Sequence, residues 1–384
     1  MPLPVLLLLA LLALSPPAPA RAQPFPFVHP GILLDTPALH ATRADLARQE
    51  PVKTAALAAM RAHPLASLEH IAQPHAAVIC GPFDKPSIGC RQERDDAKAA
   101  YTHALLWAYL REPAHADKAI AIMDQWAGTL VDGHQDSNAP LQAAWAAQLW
   151  TRAAELMRHT SDRWPADHAR HFGQWLLTQY LPDIERMGPC PGGNWFASGI
   201  EARMNIGVYT DRHDLYEQAR AQWQQRLPTY VYLSADGATP QPRPGCGTPL
   251  DRLWFGQTVM ADGLAEETCR DLEHTAYGLA GYLNAAETDR IQGGNLFALG
   301  AERLTRAMEF HTRLMRDGQV PDWLCRGKLV SSMAGTLELG YQHYAVRAKT
   351  SLPATAAWLG GQRPSRGDFH FLWETLTHGA PLAQ

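Results

Sequence analysis

Apolar residues along this chain recur mostly three and four positions apart, the period of an α-helix with a buried face. The pattern fills "RDDAKAAYTHALLWAYL", "ADKAIAIMDQWAGTL", "APLQAAWAAQLWTRAAELMRHT" and "HARHFGQWLLTQYLPDIERM". It resumes in "NWFASGIEARMNIGVYT", "HDLYEQARAQWQQRL", "AEETCRDLEHTAYGLAGYL", "LFALGAERLTRAMEFHTRLM" and "TLELGYQHYAVR". An early helix opens at Asp35 and Thr36, both capping residues, with Pro37 in its first turn. Pro113, Pro140, Pro165 and Pro182 fall at the expected joints. Only "TYVYLSADG" reads as a strand followed by a turn, and the "ATPQPRPGCGTP" after it is a Pro/Gly loop of the kind that lies near function. No repeat of fixed period is present. What recurs is helix, short loop, helix, with Trp or Tyr on most helices. The expected fold is therefore all-α, as stacked helical hairpins in an α-solenoid or a closed ring. Long loops on one side and the wealth of Trp favour the ring: an (α/α) toroid, an incomplete barrel of helical hairpins in a single domain.

The one apolar run that breaks this reading is at the N-terminus. "LPVLLLLALLAL" is too short to span a bilayer. It is followed by Pro-broken sequence and by Ala20 and Ala22 in an A-x-A arrangement. This predicts a signal peptide over residues 1–22, with the toroid over 23–384 and a secreted or periplasmic mature protein that makes no membrane contact. Export permits disulfides. Of the six cysteines, Cys80 and Cys90 flank a Pro/Gly loop and form the most plausible bridge; the spacing leaves the other pairings open. The net charge of -4 and the lack of a basic stretch argue against nucleic acid as a partner. An acidic ligand would need a local basic pocket. A monomer is expected.

Candidate chemistry concentrates in four stretches. In "AEETCRDLEHTAYGLAGYL", read as one helix, Glu267, Arg270, Asp271, His274 and Tyr277 share an arc of roughly 120°. The arc is either a solvated face of ion pairs or the wall of a cleft. In "GGNWFASG", Asn194 and Trp195 stand at a helix start, as an N-cap and a core residue or as an amide donor and an aromatic platform where the helix end favours an anion. In "LGYQHYAVR", Tyr341, Tyr344 and Arg347 form a polar-aromatic cluster, and in "NAPLQAAW" Gln142 and Trp145 share a face with Asn138. Glu267, Asp271 and His274 could chelate a metal, but Arg270 beside them argues against it, and no metal is expected. No HExxH, GxSxG or phosphate-binding Gly loop is present.

These stretches, with "RAKTSLPAT" and "WETLTHG", resemble the alginate lyase family of (α/α)-toroid polysaccharide lyases, from about Asp35 to the C-terminus. The resemblance implies a lyase that cleaves a uronic-acid polymer, alginate-like or a glucuronan, by β-elimination without a cofactor. It assigns Asn194, Arg270 and His274 to neutralising the uronate carboxylate. A Tyr serves as acid and base: Tyr277 as first choice, Tyr341 as the alternative. Trp195, Trp145, Gln142 and Arg347 would bind the sugar, with Glu267 and Asp271 behind. One departure matters: the family has a His directly after the Asn, where this chain has Trp195, so the role passes to His274. Two other classes stay open, a toroidal glycoside hydrolase acting on an acidic polysaccharide and a non-catalytic sugar-binding helical protein.

Overall fold

The computed structural model describes residues 25–335, 337–365 and 371–382. The predicted signal peptide lies outside the described residues.

Among the described residues, eleven helices of ten residues or more carry the fold: α1 Thr36–Ala47, α2 Pro51–Arg61, α3 Cys90–Leu110, α4 Pro113–Thr129, α5 Ala139–Thr160, α6 Ala166–Trp175, α7 Gly193–Tyr209, α8 His213–Tyr230, α9 Leu272–Ile291, α10 Ala301–Asp317 and α11 Pro353–Gln362. Burial sorts them into two layers. α5 buries 17 of its 22 residues and α9 buries 17 of its 20, so both are covered on all sides. α10 buries only one stripe, which includes Leu304, Met308 and His311. A helix apolar all round belongs inside, and a striped one outside. α3, α5, α7 and α9 pack in succession as the inner layer, with α4 against α3 and α8 against α7. The ring continues from α9 through the short Glu338–Tyr341 and Glu374–His378 helices to α1 and α2, and α1 packs back on α3. This is the expected (α/α) toroid. No helix among the described residues is long and apolar enough to cross a membrane.

The first caps behave as expected. Asp35 accepts from the Ala38 N–H at 2.8 Å, and Pro113 and Pro140 sit in the first turns of α4 and α5. Pro182 breaks nothing. The helix after α6 passes through a π-turn at Leu176–Tyr180 and continues over Leu181–Glu185, which places Pro182 in a first turn where its missing N–H is tolerated. The predicted strand at Thr229 is also corrected. α8 runs on to Tyr230, and only Val231 makes a bridge, to Ala265. The strands that do form are very short and lie elsewhere: β1 Val78–Cys80, antiparallel to β2 Ser87–Ile88 and parallel to β3 His134–Gln135. All six cysteines pair, as Cys80–Cys90, Cys190–Cys246 and Cys269–Cys325. The first pair is the one expected from the sequence.

A buried polar cluster anchors β3 to the inner layer. Fully buried Glu93 accepts from His134 Nε2 at 2.9 Å, the Tyr180 hydroxyl at 2.6 Å and Gln142 Nε2 at 2.6 Å, while His134 Nδ1 lies 3.0 Å from Asp183. Burial pulls the His134 pKa down, but the Glu93 and Asp183 carboxylates outweigh it and raise it to about 9. A folded-state pKa above the ordinary 6.5 contributes stability that is complete below pH 6.5 and is lost as pH rises through about 9. The melting temperature should therefore fall across that window, and His134→Gln should flatten the slope in thermal melts between pH 6 and 9.5.

Candidate active site

The N-terminal ends of the inner helices meet at one cleft of about 410 Å³, within the usual range for a ligand site. Arg94 comes from the first turns of α3, Gln142 and Trp145 from α5, Trp195 from α7, and Arg270 and His274 from the entry to α9. Pro82 and Phe83, on the loop closed by the Cys80–Cys90 bridge, complete one wall. No carboxylate is among the lining residues, whereas two guanidinium groups are.

The carboxylates stand one layer behind. Residues 265–271 do not belong to the α9 helix: 266–270 form turns, and the helix starts at Leu272 with Asp271 as its N-cap. The arc drawn from helical spacing therefore does not hold for Glu267 and Arg270. What brings these groups together is hydrogen bonding. Fully buried Glu267 accepts from the Asn194 backbone N–H at 2.8 Å, from Asn194 Nδ2 at 2.6 Å and from Arg270 Nη1 at 2.8 Å. Burial raises the Glu267 pKa, and Arg270 and Asn194 oppose the rise. Gly192, not Asn194, is the N-cap of α7. The anion at this helix end is thus Glu267 of the chain itself.

His274 is fixed from both sides. Its Nδ1 lies 2.7 Å from both Asp271 oxygens, and its Nε2 lies 2.9 Å from Arg270 Nη2. A guanidinium can only donate, so Nε2 accepts and the proton sits on Nδ1, directed at Asp271. Burial pushes the Asp271 carboxyl up, but its bonds from the His274 ring and backbone N–H and the nearby Arg270 charge hold it below its ordinary value. Arg270 thereby links Glu267 to His274 through two separate nitrogens, the geometry a planar fork allows.

Tyr277 stands one turn further along α9. Its hydroxyl donates to Glu273 Oε1 at 2.8 Å, and its ring meets those of His274 and Trp145 edge-on at 6.0 and 6.3 Å. Gly193 and Gly278 make room behind the site. A Cβ on either would fall within 2.3 Å of the Tyr230 ring or hydroxyl, whose hydroxyl donates to the Thr275 carbonyl at 3.1 Å.

The structure does not bring every expected residue to the cleft. Tyr341 is buried in the Glu338–Tyr341 helix and lines a separate cavity with Lys349 and Pro353. Arg347 pairs with Glu287 at 3.1 Å and faces another hollow beside Asp35 and Lys53. Both come from "LGYQHYAVR", where local spacing could not say which side of the ring the segment serves. Gln142 reaches the cleft, but its amide N–H goes to Glu93 and its oxygen to Arg94 at 3.3 Å, so it holds Arg94 in place. Arg94 and Phe83 were missed in the sequence. The charged "QERDD" opening an Ala-rich helix was the available signal for Arg94. Glu267, Asp271 and His274 do not converge as metal ligands, because Arg270 donates to two of them. Among the described residues, the one grouping with metal-ligand spacing is His29, Glu155 and His159. There His29 Nδ1 already meets Glu155 at 2.6 Å and Nε2 meets Asp211 at 3.2 Å.

Residues 89–242 match the family model described as Alginate lyase. No curated protein matches the chain by sequence. Among solved structures, alginate lyase A1-III from Sphingomonas species A1 shares the fold with a TM-score of 0.64 at 15% identity, over 89% of this chain and 95% of that one. A single-site variant of alginate lyase A1-III complexed with tetrasaccharide gives 0.65 at 16% identity, over 90% of this chain and 95% of that one. An alginate lyase from Bacteroides ovatus gives 0.58 at 12% identity, over 91% and 99%. The stretch that matches the family model contains the α3, α5 and α7 walls of the cleft, and in that stretch the chain is similar to the alginate lyase family, with the toroid fold shared along nine-tenths of its length.

Proposed function

We propose that the protein is an exported lyase that cleaves a uronic-acid polymer, alginate-like or a glucuronan, by β-elimination at this cleft. The observation that carries the reading is the lining itself: Arg94, Arg270 and His274 among the aromatic faces of Trp145, Trp195 and Phe83, with Glu267 and Asp271 held behind them. Such a surface suits a ring that bears a carboxylate. The alginate lyase A1-III variant of the same fold is complexed with a tetrasaccharide, which fits a chain-like ligand. Pairing of all six cysteines, together with the predicted signal peptide, supports export.

In this reading Arg270 engages the uronate carboxylate, spreads its charge and acidifies the C5 proton. Glu267 holds Arg270 in place, and Asn194, fully buried behind the cleft, holds Glu267. Once substrate takes the Arg270 fork, His274 Nε2 is released as a proton acceptor next to the carboxylate. Tyr277 serves as acid and base. As the phenolate it removes the C5 proton, the C5–H electron pair forms the C4–C5 double bond, the C4–O4 bond breaks, and O4 leaves with that proton returned by the resulting phenol, which restores the phenolate. No cofactor enters these steps. A hydrolase would instead need two opposed carboxylates about 5–9.5 Å apart. The carboxylates that could act with Glu267, Asp236 and Asp262, are engaged elsewhere: Asp236 with Arg303 at 2.7 Å and Asp262 with the Ser234 N–H at 2.6 Å.

The test is incubation with polymannuronate, polyguluronate and polyglucuronate, following the ultraviolet absorbance of the unsaturated uronide. At least one polymer should give it. New reducing ends without absorbance would point to hydrolysis, and saturable binding without either product would leave a sugar-binding protein.

A further inference from the structure

At the other end of α3 and α5 lies a second cavity, of about 520 Å³. From Gln142 to Arg158 along α5 is about 24 Å at 1.5 Å per residue, so this cavity is separate from the cleft. Arg43 of α1, Arg111 after α3 and Arg158 of α5 line it with His40 and His159, against a single acid, Asp162.

Each arginine has a structural task, since each caps the C-terminal end of an inner helix. Arg43 Nε donates to the Ala108 carbonyl at 2.6 Å, Arg111 Nη1 to Thr160 at 2.8 Å and Arg158 Nη1 to Tyr209 at 2.8 Å. Cations are favoured there. Capping does not account for the rest. A guanidinium carries five N–H donors, and these bonds use one on each. Arg43 Nη2 is buried and has no acceptor. Neither Arg43 nor Arg111 forms an ion pair among the described residues, and Arg158 comes no nearer to Asp211 than 3.8 Å. Burial lowers the pKa of both Arg43 and Arg111, and for Arg43 the charge of Arg111 lowers it further. Like charges gathered around a hollow, with donors left over, call for a counter-ion.

We propose that this cavity is a second anion-binding site, which takes a carboxylate or phosphate oxyanion between Arg43 and Arg111, away from the cleft. The same oxyanion chemistry comes from two sources, a uronate unit of a bound oligosaccharide or free inorganic phosphate.

The test uses the full chain. Arginine modification by phenylglyoxal is mapped by mass spectrometry with inorganic phosphate, with hexamannuronate, or with chloride at equal ionic strength. Arg43 and Arg111 should be protected several-fold by phosphate, by the oligosaccharide or by both, and not by chloride; which one protects identifies the source. In parallel, 20 mM phosphate should raise the melting temperature of the wild type by about 2 °C or more over chloride. Arg43→Gln and Arg111→Gln should lose that rise while keeping a wild-type rate of uronate cleavage. Equal modification under all three conditions would overturn the proposal even if a variant failed to fold, and so would an undiminished rise in folded variants.

Discussion

Tyr277→Phe should lower kcat for uronate elimination by about 10²–10⁴-fold, the usual contribution of a positioned acid–base group. KM should stay within a few-fold, because the ring that meets His274 and Trp145 is retained. The melting temperature should fall by no more than a few degrees, since the hydroxyl's bond to the exposed Glu273 carboxylate at 2.8 Å is of a kind that contributes about 1 kcal/mol. Tyr341→Phe is the control that matters. That hydroxyl belongs to a buried residue which lines a different cavity, and its loss should leave kcat near wild type. A fall of 10²-fold or more for Tyr341→Phe, with Tyr277→Phe active, would move the acid–base role to the other tyrosine. Tyr277→Phe with intact kcat and His274→Ala inactive would give it to the Asp271–His274 pair, whose Nε2 already accepts a hydrogen bond.

The toroid was legible because its cause is periodic. An inner helix must be apolar or small on every side, and "APLQAAWAAQLWTRAAELM" says so directly. The site was legible only in part, and the reason differs by residue. Asp271 and His274 are three apart on one N-cap and first turn, so local spacing could pair them. Glu267 and Asn194 are 73 residues apart and meet only when α7 lies against the turn before α9. Spacing placed Glu267 on the right side for the wrong reason, on a helix that starts five residues later, at Leu272. Arg347 and Tyr341 show the opposite failure. Their polar-aromatic pattern is real, but the partner that explains Arg347, Glu287, is 60 residues away and outside the cleft. A local pattern shows that a group needs a partner; the tertiary fold decides whether that partner is substrate or another side chain.

Arg270 is the position where that distinction can be measured. Arg270→Ala should cut kcat/KM by about 10²–10³-fold, the cost of one donor aimed at developing negative charge. Alanine also strips buried Glu267 of its ion pair with Arg270, leaving the carboxylate with the Asn194 donors, so the melting temperature should fall as well. The two effects separate with Arg270→Lys. Lysine keeps a positive charge near Glu267, and most of the stability should return. A single ammonium cannot span Glu267 and His274 as the two guanidinium nitrogens do, at 2.8 and 2.9 Å, nor present a fork to a carboxylate. Activity should therefore remain at least tenfold below wild type. If lysine restored both stability and rate, Arg270 would act through charge alone. If lysine restored neither, its main task would be to hold Glu267 and Asn194, and the carboxylate-binding role would pass to Arg94, on the α3 wall of the same cleft.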